Sequence, residues 1–227
     1  MPYILILLLL LTLFFGPSLW ARYTFRRYST ERDDIPGTGG ELARHLLDRF
    51  NMPEYQVELA GEEGDHFDPR SNTVRLSQDN YAGTSLTAVA VAAHEVGHAI
   101  QHQRGEQKIR LRTRLAVVAN TAQKAGAVII MLSPVVALLT RTPPLIVIEL
   151  LAGVGAMLLA TLLHLVTLPV ELDASFGKAL PILREGYIQA KDEPAVKRIL
   201  RAAALTYVAA SLASLLNLGR WIAVLRR

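Results

Sequence analysis

From Leu145 to Val170 the chain is apolar almost without interruption, with Glu149 as its one acidic residue and no lysine or arginine. A helix that crosses a hydrocarbon core of about 30 Å needs about 20 such residues. This stretch clears that length, and an ordinary soluble globule has no core in which to hide it. Three further apolar stretches accompany it. Tyr3–Leu19 and Ala202–Leu218 just reach the spanning length, and Ala125–Leu139 must borrow flanking turns. Three or four membrane spans are expected. The chain has no cysteine, which excludes a disulfide-stapled secreted domain and cysteine metal ligands alike.

The formal net charge is +4, and its placement follows the apolar runs. Arg22, Arg26, Arg27 and Arg32 follow the first; Arg104, Lys108, Arg110, Arg112 and Arg114 precede the second. Lys178, Arg184, Lys191, Lys197, Arg198 and Arg201 lie between the third and fourth, whereas the 141–144 link holds one arginine. By the positive-inside rule, residues 22–120 and 171–201 face the cytoplasm and the link faces outward. Membrane topology thus explains the basic balance, the lipid bilayer is a partner, and nucleic acid is not expected, because no stacking aromatics accompany the basic residues. Met1-Pro2-Tyr3 carries no positive charge and Leu19-Trp20-Ala21 is a poor cleavage site, so the first run reads as an uncleaved anchor with Trp20 and Tyr23 at the interface. A span at the fourth run would leave Arg220, Arg226 and Arg227 outside; a re-entrant or surface-lying helix is the alternative there.

This divides the chain into an N-terminal transmembrane anchor (1–21), a cytoplasmic region (22–114), a transmembrane hairpin (115–170), a second cytoplasmic segment (171–201) and a fourth transmembrane or interfacial helix (202–227). In the first cytoplasmic region, Ile35–Gly40 is rich in breakers, and Thr38 or a following glycine can start a helix over Glu41–Phe50. Val57–Leu59 reads as a short strand, Gly61–Asp68 as an acidic turn, and Thr73–Ser77 as a strand. Thr84 or Ser85 caps a helix over Leu86–Gln103, closed by Gly105.

That helix carries His94-Glu95-Val96-Gly97-His98. Imidazoles at i and i+4 are separated by ~40° around the axis and ~6 Å along it, so both reach one metal ion. Glu95 is rotated ~100° from His94, which suits a base beside a metal-bound water rather than a ligand. Zinc lowers the pKa of such a water toward ~7; Glu95 takes its proton as it attacks a carbonyl and passes it to the leaving amine. H-E-x-x-H also arises by chance on helices. Here the small, apolar Leu86–Ala93 stretch before it and Gly97 and Ala99 within it fit a packed helix entering a site.

Catalytic zinc usually has three protein ligands. His102 lies ~12 Å along the axis from His94 and cannot close one site with both histidines; it reads as a helix-surface or outer-partner group. His45 and His66 have no positional argument. Glu171 has one: it follows the third apolar run, and two spans after His98 return it to the same membrane face. His94, His98 and Glu171 therefore form the expected ligand set for one zinc ion per chain.

Four blocks stand out together: Asp65-His66-Phe67-Asp68-Pro69, Thr73-Val74-Arg75-Leu76-Ser77, Ala92 through His102 with its specific HEVGHAIQH block, and Leu168 through Ser175. Through them the chain resembles the neutral zinc metallopeptidases of the YugP-like membrane family. The resemblance covers nearly the whole chain. It implies a gluzincin-type site with His94, His98 and Glu171 on zinc and Glu95 as base, and it looks like the broader class of integral-membrane gluzincins that degrade or process membrane proteins. The implied fold is mainly α, an integral-membrane helical protein with a small α+β zincin-like catalytic region. One departure stands out: relatives usually carry an aspartate four residues after the ligand glutamate, where it orients a zinc histidine. Here Ser175 occupies that place and Asp173 lies ~160° round a helix from it, leaving Asp173, Ser175 or a water as the histidines' outer acceptor.

Other residues complete the expectations. Thr73, Val74, Arg75, Leu76 and Ser77 could form an edge strand that pairs with an extended substrate, or an ordinary sheet strand. Asp65, His66 and Asp68 could line the site, bind a structural ion or form a solvated turn. Tyr187, His66 or an arginine are candidates for the oxyanion donor. The function expected is hydrolysis of peptide bonds in membrane-associated or misfolded proteins. Its rivals are a membrane metal-binding or scaffold protein with a structural site, and an intramembrane protease of the site-2 type. The short, polar-ended HEVGH helix argues against the latter.

Overall fold

In a computed structural model of the protein, residues 2–62, 64–140 and 143–206 are described; the fourth apolar run beyond residue 206 lies outside them. The described residues are mainly helical with one small sheet, and the chain divides into two compact units. Among the described residues, one unit comprises 2–18 and 111–168, and the other comprises 19–110 and 169–206.

The first unit is built from long apolar helices. They are most of α1 (Pro2–Arg27), α5 (Gln107–Thr140) and α6 (Pro143–Leu172). Ile109–Val136 in α5 is long and apolar enough to cross a membrane, with mean hydropathy 1.6, and among the described residues it is the one helix that meets that test. Val147–Ala160 in α6 is a shorter apolar stretch. Many large apolar side chains here face outward, among them Leu138, Leu139, Val147, Ile148 and Leu151. A surface of this kind is what a lipid-facing helix presents and what a water-facing one avoids.

The second unit holds the site. α1 does not stop where the expected anchor ends at residue 21. Its last turns continue to Arg27, and the Phe25 carbonyl accepts from Thr87 Oγ1 (2.9 Å) at the start of α4 (Leu86–Gln103). α2 (Gly39–Arg49) starts on a capping box: Thr38 Oγ1 accepts from Glu41 N–H, and the Glu41 carboxylate accepts from Thr38 N–H. The helix therefore begins two residues before the Glu41 start expected from the sequence. Its apolar face, Leu42, Leu46 and Leu47, is buried against α4.

β1 (Gln56–Leu59), β2 (His66–Asp68) and β3 (Thr73–Leu76) form a sheet of order β1-β3-β2. β1 runs parallel to β3, with Val57 opposite Val74; β2 runs antiparallel to it, with Phe67 opposite Val74. One expectation changes here, and one of two alternatives is excluded. His66–Asp68 is a strand and not part of a turn. Thr73–Leu76 is the central strand, paired on both sides, so its backbone has no open edge for a peptide; Ser77 instead leads into α3 (Gln78–Ala82). Val74 and Leu76 are fully buried in the core that the sheet shares with α4.

α4 runs through the middle of this core. Ser85 Oγ accepts from Ala88 N–H at its start, and Gly105, at φ +62°, ends it in the left-handed turn that glycine favours. Every residue from Leu86 to Gln101 is buried, as its small and apolar side chains allow. Beyond Leu172, α6 widens into a π-helix over Asp173–Ala179, where Leu180 N–H donates to Ser175 O, five residues back. Single π turns are rare and are frequent at functional sites. The chain then passes through α7 (Leu180–Arg184) and a 3-10 turn (Ala190–Asp192) into α8, helical from 193 to the last described residue, 206.

Candidate metal centre

The approach of α4 to the π segment decides the site's geometry. A Cβ on Gly97 would lie 2.7 Å from the Ala174 carbonyl oxygen and 3.3 Å from its Cα. Only a bare glycine lets the two backbones come this close. Glycine at this point brings the His94 and His98 face of α4 against the chain that carries Glu171. Gly97→Ala tests this contact. Alanine's helix propensity favours the variant by about 1 kcal/mol, but overlap with a backbone carbonyl costs about 1–3 kcal/mol. The expected result is a lower melting temperature for the detergent-solubilised, metal-free protein; a higher one would show that the contact yields without strain.

His94, His98 and Glu171 are 3%, 2% and 1% exposed. One ligand atom from each lies within 4.8 Å of the others, and among the described residues this is the grouping of His, Asp and Glu that could hold a metal ion. His98 Nε2 lies 3.1 Å from Glu171 Oε2, and His94 Nε2 lies 3.5 Å from the same oxygen. The rings stand edge to face with centroids 4.8 Å apart.

The outer nitrogens show which atoms are available inside. Ser175 Oγ donates to the Leu200 carbonyl (2.8 Å) and lies 2.9 Å from His94 Nδ1. With its proton on Leu200, the hydroxyl accepts from His94 Nδ1–H, which leaves the Nε2 lone pair turned toward Glu171. His98 Nδ1 lies 3.0 Å from Gln101 Oε1, so its outer nitrogen is engaged as well and its Nε2 faces Glu171. Two imidazole nitrogens and a carboxylate oxygen converging among buried side chains fit a borderline divalent ion such as zinc. Glu95, 7% exposed, sits beside His94 on α4.

The remaining sequence candidates fall elsewhere. Asp173 meets Gln101 Nε2 (2.7 Å) and Lys178 Nζ (2.8 Å), so its link to a histidine runs through Gln101. His102 Nδ1 pairs with Tyr55 Oη (3.0 Å), and its ring packs against Phe67. His66 Nδ1 is 2.9 Å from the Gly64 carbonyl. Asp65 accepts from Ser77 N–H and Asn80 Nδ2, and Asp68 accepts from Arg70 N–H, Ser71 Oγ and Arg75 Nη1, so both carboxylates tie loops to the sheet. Burial opposes the charge on Asp68, but those donors outweigh it and hold its pKa at about 2. The Tyr187 hydroxyl is engaged by His45 Nε2 (2.8 Å) and Arg49 Nη1 (3.3 Å). Sequence reasoning passed over Gln101. The signal available was its i+3 spacing from His98, which puts the two on one helix face.

A family model described as "Putative neutral zinc metallopeptidase" matches residues 3–226. The chain is 37% identical over 216 residues to a Bacillus subtilis protein named "Putative membrane protease YugP", covering 92% of each chain. No solved structure matches.

Proposed function

The chain belongs to the neutral zinc metallopeptidase family, and on that premise we propose that it is a multi-pass membrane endopeptidase. In this reading His94, His98 and Glu171 hold one zinc ion and Glu95 is the general base. The observation that carries it is the buried convergence of the two Nε2 atoms and Glu171 Oε2, with both Nδ1 atoms occupied on the outside. When bound, zinc supplies a Lewis acid that polarises a carbonyl and brings the pKa of a water toward ~7. Glu95 takes a proton from the attacking water and delivers it to the departing amine nitrogen. Ser175 and Gln101 keep the imidazoles from turning while this happens.

The substrates proposed are membrane-associated or misfolded proteins. The catalytic unit stands on the cytoplasmic side of the cell membrane, carried by three or four spans. Support comes from the basic residues beside the apolar runs, from the apolar length of α5, and from the membrane protease named among its relatives. α4 is not a candidate span and packs on a sheet, which argues against a reaction inside the bilayer. Glu62, exposed in the loop before β2, gives a test of sidedness. A Glu62→Cys variant should resist an impermeant thiol reagent in intact cells and react after permeabilisation; ready labelling of intact cells would reverse the topology.

The activity itself is tested with detergent-purified protein and an unfolded protein substrate. Cleavage should stop on chelation and return with added zinc. Zinc retained by a protein that cleaves neither unfolded nor native membrane proteins would replace the peptidase with a metal-binding role.

A further inference from the structure

Gln101 is 1% exposed, and a primary amide so deeply buried must have its polar atoms matched. Its Nε2 faces two acceptors, the Val170 carbonyl at 3.1 Å and Asp173 Oδ2 at 2.7 Å. Turning the amide over would lose both hydrogen bonds and set an oxygen against two oxygens. The amide is therefore held one way round, and the atom it turns to His98 Nδ1 is Oε1, which only accepts. Resting on the metal site proposed above, we propose that Gln101 is a positioning residue that keeps the proton of His98 on Nδ1, and that Asp173 acts on His98 through Gln101.

The surroundings are built to keep that orientation. Asp173 Oδ2 accepts from Lys178 Nζ (2.8 Å), and Lys178 also meets Glu106 Oε1 (3.2 Å). Burial works against the Lys178 charge, but the bonds to Asp173 and Glu106 outweigh it and hold its pKa above the ordinary value. Glu106 N–H in turn donates to the Gln101 carbonyl (3.1 Å), so the circuit closes on the residue it starts from. Gly177 leaves room for it, since a Cβ there would run into Asp173 Oδ1. The two histidines are thus set by different devices. His94 has a hydroxyl four residues after Glu171, and His98 has an amide that relays a carboxylate two residues after Glu171. Without the amide, His98 gains more by placing its proton on Nε2, facing the Glu171 carboxylate 3.1 Å away, which is the form that cannot accept a metal.

The test combines zinc affinity by chelator competition with the ¹⁵N spectrum of His98 in metal-free protein, for wild type, Gln101→Leu, Asp173→Leu, Asp173→Asn and Gln101→Leu/Asp173→Leu. In the wild type Nδ1 should be protonated. In Gln101→Leu it should lose its proton, and zinc binding should weaken about 10- to 100-fold, the usual effect of removing a partner of a metal-bound histidine. Asp173→Leu should weaken binding in the wild type and add nothing in the Gln101→Leu background; Asp173→Asn, whose carbonyl still accepts from the amide, should stay near wild type. A protonated Nδ1 with unchanged affinity in Gln101→Leu, or an equal loss from Asp173→Leu in both backgrounds, would overturn the proposal. If Gln101→Leu does not fold, an Nδ1 signal in Asp173→Leu no different from wild type overturns it. Failure of the metal reading looks different: the wild type would show no specific zinc binding, or His94→Ala and Glu171→Ala would bind zinc as tightly as the wild type, while the Nδ1 signal still decides the role of Gln101.

Discussion

Glu171→Ala is expected to cost the protein its zinc, by more than the about 100-fold that an outer hydrogen-bond partner is worth, and to bring cleavage to background. Glu171 is the only anionic member of the three, its Oε2 faces both imidazole Nε2 atoms, and it is 1% exposed. Alanine removes the negative charge that would offset a dication at a buried site. Glu171→Gln separates this loss from simple loss of packing: it nearly preserves the volume and removes the charge, so its zinc content should fall almost as far. Zinc content at neutral pH equal to wild type in both variants would remove Glu171 from the ligand set.

Glu95→Gln is expected to do the opposite, keeping zinc and losing turnover by about 10²- to 10⁴-fold, the range a positioned general base contributes. The reason is angular. His94 and His98 share a face of α4, while Glu95 is turned ~100° from His94 and is no natural third ligand for their ion. Glutamine matches the size of glutamate and cannot take a proton at neutral pH. Metal content and melting temperature should therefore match wild type. Turnover within about tenfold of wild type, far above what loss of a general base leaves, would exclude Glu95 from the chemistry.

Much of this site is legible in the sequence because it depends on spacing along one helix. His94 and His98 four residues apart, capped by Ser85 upstream and closed by Gly105 downstream, define α4 and its metal-facing side before any fold is known. Glu171 is legible for a different reason: two apolar stretches separate it from His98, and two spans there would return the chain to the same membrane face. What the sequence hides depends on contacts between elements. Strand order is one case, since nothing in Thr73–Leu76 says whether its neighbours cover one edge or both. The π-helix is another. An α-helical reading sets Asp173 and Ser175 ~160° apart and asks which one orients the histidines; in the structure Ser175 Oγ lies against His94 Nδ1, and Asp173 meets Gln101, whose Oε1 faces His98. Gln101 escaped notice because an amide carries no metal signature and matters only through the groups that fix its two ends.

The burial of α4 has a consequence for time. A helix with no wetted face from Leu86 to Gln101 cannot fray locally to let solvent reach its peptide groups, so the amides around His94 and His98 should be among the last to exchange with deuterated water. Their exchange rate is then a measure of how often the whole unit opens, and each substitution that stabilises the unit slows it.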